Sequence, residues 1–318
     1  MYDTRTLKPQ LRVDEQSVEC PVRGCTQVVP RQRKTFKRDE QFRCPTHDIY
    51  ISASTYDHGK FTDNLLSSDP DDLALIHRLL GQKRETERLG RERSEDALTF
   101  NVFRTLERAG QLDDVMSTIA GRAVVGSVPA YWSLDSATGM TDSRLAAARD
   151  AFHEVLDRGT EPDVLIDSED TLFLVEAKLG SKNETTPTHV RSLTAYSKAQ
   201  GGWYDRVFTS DAETVASKEK LYQLMRLWLL GTWMAEQTGK KFVLVSLCAE
   251  AGDSEIETRF GGHILATDAN RFVSCTWEKI REHGRSLAQN PEVTRLVEYL
   301  NHKSLGYDGR GGLLTAFR

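Results

Sequence analysis

Glu161-Pro162-Asp163-Val164-Leu165-Ile166-Asp167-Ser168-Glu169-Asp170-Thr171-Leu172-Phe173-Leu174-Val175-Glu176-Ala177-Lys178 holds two apolar runs, each too short for a helix and each bounded by turn residues. Ser168-Glu169-Asp170-Thr171 is a tight turn. With Glu169 and Asp170 at its centre, Ser168 pairs with Thr171 and Asp167 with Leu172. Counting outward, Asp163 then lies opposite Glu176. Directly paired residues share a face, with Cβ atoms roughly 4.5–5.5 Å apart. Lys178, two residues past Glu176, falls on that face too. The intervening apolar residues alternate to both faces, so both sides of this sheet are expected to be covered.

Working outward, Ser68-Asp69-Pro70-Asp71 reads as a helix start. Residues 83–93 are densely charged and read as a solvated helix face or connector. Ser94 is a candidate N-cap for a helix to about Arg108. Further expectations are a strand over 129–134, a helix over 144–156, a long apolar helix over 217–237 and a strand over 241–249. Shorter strands near 262–266 and 272–276 and two closing helices near 277–288 and 291–302 follow. This mixture predicts a three-layer α/β domain.

The first third differs in kind. Cys20, Cys25, Cys44 and His47 stand as Cys-x4-Cys, an 18-residue loop, then Cys-x2-His. Soft ligands in two pairs suit tetrahedral zinc in a closed structural site. Such a short segment has little core of its own, and the metal would supply folding energy. Between 20 and 47, seven basic residues (Arg23, Arg31, Arg33, Lys34, Lys37, Arg38, Arg43) stand against two acids, Asp39 and Glu40. This is the clearest basic patch in a chain of net charge −5, and it suits phosphate contacts or a solvated loop equally. The division expected is 1–60 zinc-binding, 61–93 helical connector and 94–318 α/β domain. Cys248 and Cys275 read as small buried residues.

Two side-by-side carboxylates repel unless a cation or proton lies between them. A divalent metal resolves the conflict, and magnesium favours oxygen ligands and keeps several waters. It polarises phosphoryl oxygens and acidifies bound water. Lys178 could orient that water or stabilise a pentavalent phosphate. If the carboxylates do repel, Asp163→Asn or Glu176→Gln should leave folding intact or slightly more stable without metal. A second Pro-Asp, Pro70-Asp71, has no acid-x-Lys at the right distance, so the bare string is weak and the hairpin carries the inference.

Asp163 and Glu176-Ala177-Lys178 in this strand context resemble the PD-(D/E)xK restriction-endonuclease-like superfamily, over roughly residues 94 to 280. The resemblance implies a mixed sheet flanked by helices and a metal-dependent nuclease, most readily a magnesium- or manganese-dependent DNA endonuclease of restriction, defence or repair. It implies a further acid on a preceding helix, which Glu95 fits. Glu95 is in phase with Leu98, Val102 and Leu106, although an acid in a first turn also suits the helix dipole. It also implies a polar pair on the helix after E-x-K. Gln223 and Arg226 are such neighbours, and a buried Arg226 needs an anionic partner: a site carboxylate, a phosphate or a structural acid.

The expected partner is nucleic acid, double-stranded DNA first, with a homodimer compatible with that reading. The competing classes are a non-cleaving, zinc-bearing nucleic-acid-binding protein and a structural adaptor whose zinc serves protein contacts. No apolar stretch is long enough for a membrane span, and MYDTRTLKPQ resembles neither a signal nor a transit peptide, so the cytoplasm is expected. No phosphate-loop, G-x-G-x-x-G, HExxH or G-x-S-x-G motif occurs. His153 and His189 flank the hairpin and read as surface or capping residues.

Overall fold

A computed structural model describes residues 6–33, 35–82, 86–136, 138–154, 159–188, 191–287 and 289–317. In chain order its strands are β1 (Ser17–Glu19), β2 (Val28–Pro30), β3 (Arg43–Cys44), β4 (Ile49–Ile51), β5 (Tyr56–His58), β6 (Val128–Tyr131), β7 (Val164–Asp167), β8 (Thr171–Ala177), β9 (Lys241–Cys248), β10 (Asn270–Thr276), β11 (Ser304–Tyr307) and β12 (Leu313–Thr315). Its helices are α1 (Pro70–Gln82), α2 (Glu95–Arg108), α3 (Leu112–Ala120), α4 (Ser143–Ala151), α5 (Arg191–Val207), α6 (Tyr222–Thr238), α7 (Ile256–Gly261), α8 (Trp277–Ser286) and α9 (Pro291–His302). Two compact units result: Met1–Thr105 together with Glu278–Arg318, and Leu106–Trp277.

The second unit is α/β, with a mixed sheet of order β10-β9-β8-β7-β6. Strands β6, β7 and β8 form an antiparallel meander, and β9 and β10 add in parallel. The Ser168–Thr171 turn closes with Ser168 N–H donating to the Thr171 carbonyl at 2.9 Å, and the ladder runs from Asp167↔Leu172 to Val164↔Val175. Every residue of β8 is buried, which explains the apolar run Leu172–Val175 between Thr171 and Glu176. Leu165, Leu172, Leu174, Phe242 and Leu244 form one core with residues of α4, α5 and α6. Helix α6 comes so close to β9 that a Cβ at Gly231 would fall inside the Phe242 ring, so only glycine fits there.

The first unit joins both chain ends. Tyr307 shares a core with Cys20, Cys25, Cys44, Val18 and Ile49. The β11–β12 hairpin is tied to the N-terminal segment through Leu11 N–H to the Gly311 carbonyl (2.7 Å) and Leu313 N–H to the Pro9 carbonyl (3.0 Å). Residues 278–318 therefore group with the Cys/His segment, a division that differs from the 1–60, 61–93 and 94–318 boundaries drawn from sequence. No local pattern in the chain announces a pairing across about 300 residues.

Three local expectations change. The stretch 262–266 is not a strand: α7 precedes it, and Ile264 makes one isolated bridge to Phe208. The long apolar helix begins at Tyr222, because Thr214–Lys218 forms a separate π-helical turn and Lys220 takes a left-handed φ of 58°. In the charged run, 83–85 lie outside the described residues and Thr86–Gly90 is a short 3-10 segment. Glu92 in that run is not solvated. Both Glu92 and Lys303 side chains are 0 % exposed, and they pair at 3.4 Å. Burial alone would lower the Lys303 ammonium, but Glu92 and Tyr299 more than offset it and hold it above its ordinary value. Among the described residues, no helix is long and apolar enough to cross a membrane.

Candidate functional site

Asp163 sits one residue before β7. Its N–H donates to the Val175 carbonyl at 3.0 Å, and its carbonyl accepts from Trp132 N–H at 3.0 Å. Its carboxylate takes over where the ladder stops: Oδ2 accepts the Ala177 N–H at 2.7 Å. The acid is thereby fixed against the middle residue of Glu176-Ala177-Lys178. Glu176 is only 5 % exposed, and Lys178 Nζ donates to its Oε1 at 2.7 Å. Lys178 is itself anchored through its main chain, its N–H to the Leu247 carbonyl (2.7 Å) and its carbonyl from Trp277 Nε1 (2.9 Å). By strand alternation Glu176 continues the Leu172–Leu174 row, on the face that α6 covers.

These contacts revise one expectation. Carboxylate repulsion was to make Asp163→Asn or Glu176→Gln neutral or stabilising. A main-chain donor and an ammonium already compensate the two acids, so either change removes a favourable charge-assisted contact instead.

Arg226 Nε meets Glu154 Oε1 at 3.1 Å, with side chains 11 % and 2 % exposed. Tyr196 O–H donates to the same oxygen at 2.7 Å, and Thr160 donates to Glu154 through both N–H and O–H. Gln223 Nε2 donates to the Glu161 carbonyl at 3.2 Å. Arg149 adds a contact from Nε to the Thr160 carbonyl at 2.9 Å. The polar pair on α6 thus grips Thr160 and Glu161, the residues that lead into Asp163. Burial alone would raise the Glu154 carboxyl; the Arg226 charge and the bonds from Arg226 and Thr160 hold it below the usual carboxylate range. Burial pushes the Tyr196 hydroxyl up, and the Glu154 charge adds to that. Glu154 and Tyr196 had no signal in the sequence, since neither lies in a recognisable motif.

Glu95 opens α2 behind Ser94, whose Oγ accepts the Ala97 N–H at 3.0 Å as an N-cap should. Glu95 belongs to the first unit and the hairpin acids to the second. Ser246, the register partner of Glu176 on β9, accepts from Asn183 Nδ2 at 3.0 Å. That contact ties the loop after Lys178 to the sheet, and sequence reading missed it. His153 takes a left-handed φ of 57° just past α4, and His189 lies outside the described residues.

In the first unit, Cys20, Cys25, Cys44 and His47 converge, with ligand atoms all within 4.8 Å of one another. Cys20 follows β1, Cys25 closes a turn in which Gly24 takes φ 81°, Cys44 ends β3 and His47 lies in the β3–β4 turn. The separations are 3.8 Å for Cys25 Sγ to Cys44 Sγ, 3.6 Å for Cys20 Sγ to His47 Nδ1 and 3.5 Å for Cys44 Sγ to His47 Nδ1. Tetrahedral zinc, with Zn–S of about 2.3 Å and Zn–N of about 2.0–2.1 Å, demands S···S of about 3.8 Å and S···N of about 3.6 Å. The donor set fits. Burial pushes the Cys20 thiol up, with Cys44 and Cys25 adding, a cost that a bound cation would offset. Among the described residues this is the group of three or more ligating side chains that can hold a metal; Asp163 and Glu176 are not completed by a third acid in such a group.

The basic loop is partly committed. Arg43 pairs with Asp48 (2.6 Å) and Glu40 (3.0 Å). Arg38 donates to the Gly59 carbonyl at 3.2 Å and lies over the Tyr50 ring. Arg31 and Arg33 are exposed and donate to the main-chain carbonyls of Asp14 (2.9 Å) and Glu15 (3.0 Å). Lys34 lies outside the described residues. Comparison with protein-family models, with curated proteins and with solved structures finds no match.

Proposed function

We propose that this chain is a metal-dependent phosphodiesterase acting on nucleic acid, a DNA endonuclease of restriction, defence or repair first, on a restriction-endonuclease-like sheet. The observation that carries the reading is the pinning of Asp163 to Ala177 N–H beside the buried Glu176–Lys178 pair, two acids and an ammonium at one end of one hairpin. Asp163 and Glu176 would hold magnesium or manganese. When bound, such an ion supplies Lewis acidity at a phosphoryl oxygen and lowers the pKa of a coordinated water.

The residues of the chain do the rest. Ala177 N–H fixes the rotamer of Asp163, so one carboxylate oxygen is already spent and the other is oriented. Lys178 neutralises Glu176 and sets a positive charge where negative charge builds up as water oxygen bonds to phosphorus. The attacking water gives up its proton to solvent, the phosphorus–oxygen bond to the leaving strand breaks, and the leaving oxygen takes up a proton from solvent. The clamp of Arg226, Glu154 and Arg149 on Thr160 and Glu161 positions the residues leading into Asp163.

The test incubates the purified protein with plasmid, linear DNA and RNA, with magnesium, with manganese or with neither. Metal-dependent cleavage that falls to background in Asp163→Asn and Glu176→Gln is expected, and Lys178→Ala should lose about 10²- to 10⁴-fold in rate. Equal cleavage by Asp163→Asn and the parent at the same magnesium concentration sinks the mechanism. A second reading, a non-cleaving zinc-bearing nucleic-acid-binding protein, draws on the lysine already paired with Glu176. Binding without cleavage under every metal condition would favour it.

A further inference from the structure

The loop between the two Cys/His knuckles and the β4–β5 turn enclose a groove of roughly 800 Å³, lined by Arg31, Arg33, Thr35, Phe36 and Ser52 to Thr55, with Glu15 also in the lining. We infer that this groove binds an unpaired nucleic-acid strand, with Arg31 and Arg33 on successive phosphates and Phe36 against a base. The choice of a nucleic-acid ligand rests on the nuclease reading; the groove itself does not.

Three features carry the inference. The first is charge: among the described residues neither Arg31 nor Arg33 forms an ion pair, although one acid, Glu15, shares the lining. Arg43, in the same segment, is neutralised by Glu40 and Asp48, whereas the hydrogen bonds of Arg31 and Arg33 run to carbonyl oxygens. A carbonyl fixes a guanidinium without removing its charge, so each is held in place and still attracts an anion. The second is pre-organisation. Gln32 is locked from both sides, its Nε2 donating to the Ile51 carbonyl (2.8 Å) and its Oε1 accepting from Lys37 N–H (2.6 Å). That pins the loop carrying both arginines to β4, so little ordering entropy remains to be lost on binding. The third is Phe36, a half-buried aromatic among polar lining residues. A duplex hides its base faces, so an aromatic ring here is useful to an unpaired base. Cationic groups tracking a backbone beside a stacking ring are the usual means of holding single strands. The duplex expectation thereby narrows to nucleic acid that carries an unpaired stretch.

The experiment measures binding of the full-length, zinc-loaded protein to a fluorescein-labelled 20-nucleotide single strand and to its duplex, without magnesium, over a range of salt. The single strand should bind more tightly. Arg31→Ala/Arg33→Ala should flatten the slope of log affinity against log salt by about 1.4, at roughly 0.7 per lost single-strand phosphate contact. Phe36→Ala should weaken the single strand roughly 5- to 150-fold, leaving the salt slope alone and the duplex unaffected. Arg31→Lys/Arg33→Lys should recover the slope, which a merely structural role for the guanidinium–carbonyl bonds would not allow; retained zinc checks that each variant folds. Unchanged affinity and slope in the double alanine variant, or equal loss of duplex and single strand in Phe36→Ala, overturns the inference. Cleavage that persists while this binding fails removes the groove alone, and binding that persists without cleavage removes the nuclease reading alone.

Discussion

The cysteine cluster and the hairpin acids face the same electrostatic problem and meet it in opposite ways. Three thiols and an imidazole are packed at separations that suit a metal of about 2.3 Å bond length. Asp163 and Glu176 are compensated from within, one by Ala177 N–H and the other by Lys178. The first site has the donor set of a closed metal site. The second is pre-organised without a cation, and a catalytic ion would have to share Glu176 with the lysine. A structural metal can be part of folding; a metal that must exchange water and substrate cannot be.

Removing zinc should break this comparison most dramatically. All five tryptophans (Trp132, Trp203, Trp228, Trp233 and Trp277) lie in the second unit, so their fluorescence reports the sheet and zinc release reports the knuckles. Cys44→Ser, or a strong chelator, should release about one zinc and unfold the knuckle segment, an effect on the order of 10 kcal/mol. The tryptophan transition should survive. Protein purified without chelator that contains no zinc would end the structural-zinc reading.

The next effects, each about 3–5 kcal/mol, sharpen the second half of the comparison. Lys178→Met leaves Glu176 buried without its ammonium and should destabilise the sheet unit by that amount. Adding Glu176→Gln should recover most of the loss. Millimolar magnesium should partly rescue Lys178→Met and not the double variant, because the carboxylate is then the ligand; no rescue would argue that Glu176 takes no metal. A parallel cycle on Glu92 and Lys303 should give a similar loss for Glu92→Gln, read as earlier zinc release in urea, with no magnesium effect. A Glu92→Gln variant with parental zinc retention would show that this buried pair is dispensable.

The hairpin was legible because its turn fixes the register by counting, and counting is local: Val164↔Val175 and Asp167↔Leu172 follow from Ser168 and Thr171 alone. The zinc ligands were legible because soft ligands in pairs have few other uses. What sequence could not supply was everything set by distant partners. Glu92 reads as one more charge in a charged run until Lys303 arrives from the far end of the chain. Arg226 was recognised as needing an anion, yet nothing near it in sequence singles out Glu154, 72 residues earlier. The β11–β12 hairpin and helices α3 and α5 were likewise missed. Helix α5 is broken by positive-φ backbone at Gln200, Gly201 and Gly202, which interrupts the periodicity that reveals a helix.

The smallest predicted effect is a pH dependence that separates the clamp on the Asp163 strap from every other acid. Arg226 and its neighbours hold the Glu154 carboxyl below the ordinary carboxylate range. A group whose folded pKa is depressed contributes stability that is fully present above its unfolded pKa, about 4.3 for glutamate. That contribution is lost as pH falls through the folded value. The parent should therefore exceed Glu154→Gln in tryptophan-monitored stability near neutral pH, because the variant leaves the buried Arg226 facing a neutral amide. As pH drops below about 4.3 the gap should close, since protonated Glu154 then resembles glutamine. Asp142, also held low by Arg144, titrates identically in both proteins and cancels in the difference. Acid loss of zinc falls in the other unit and is invisible to tryptophan. A gap that stays constant from neutral pH down to about pH 3 would mean that Glu154 acts through packing and hydrogen bonds rather than through its charge on Arg226.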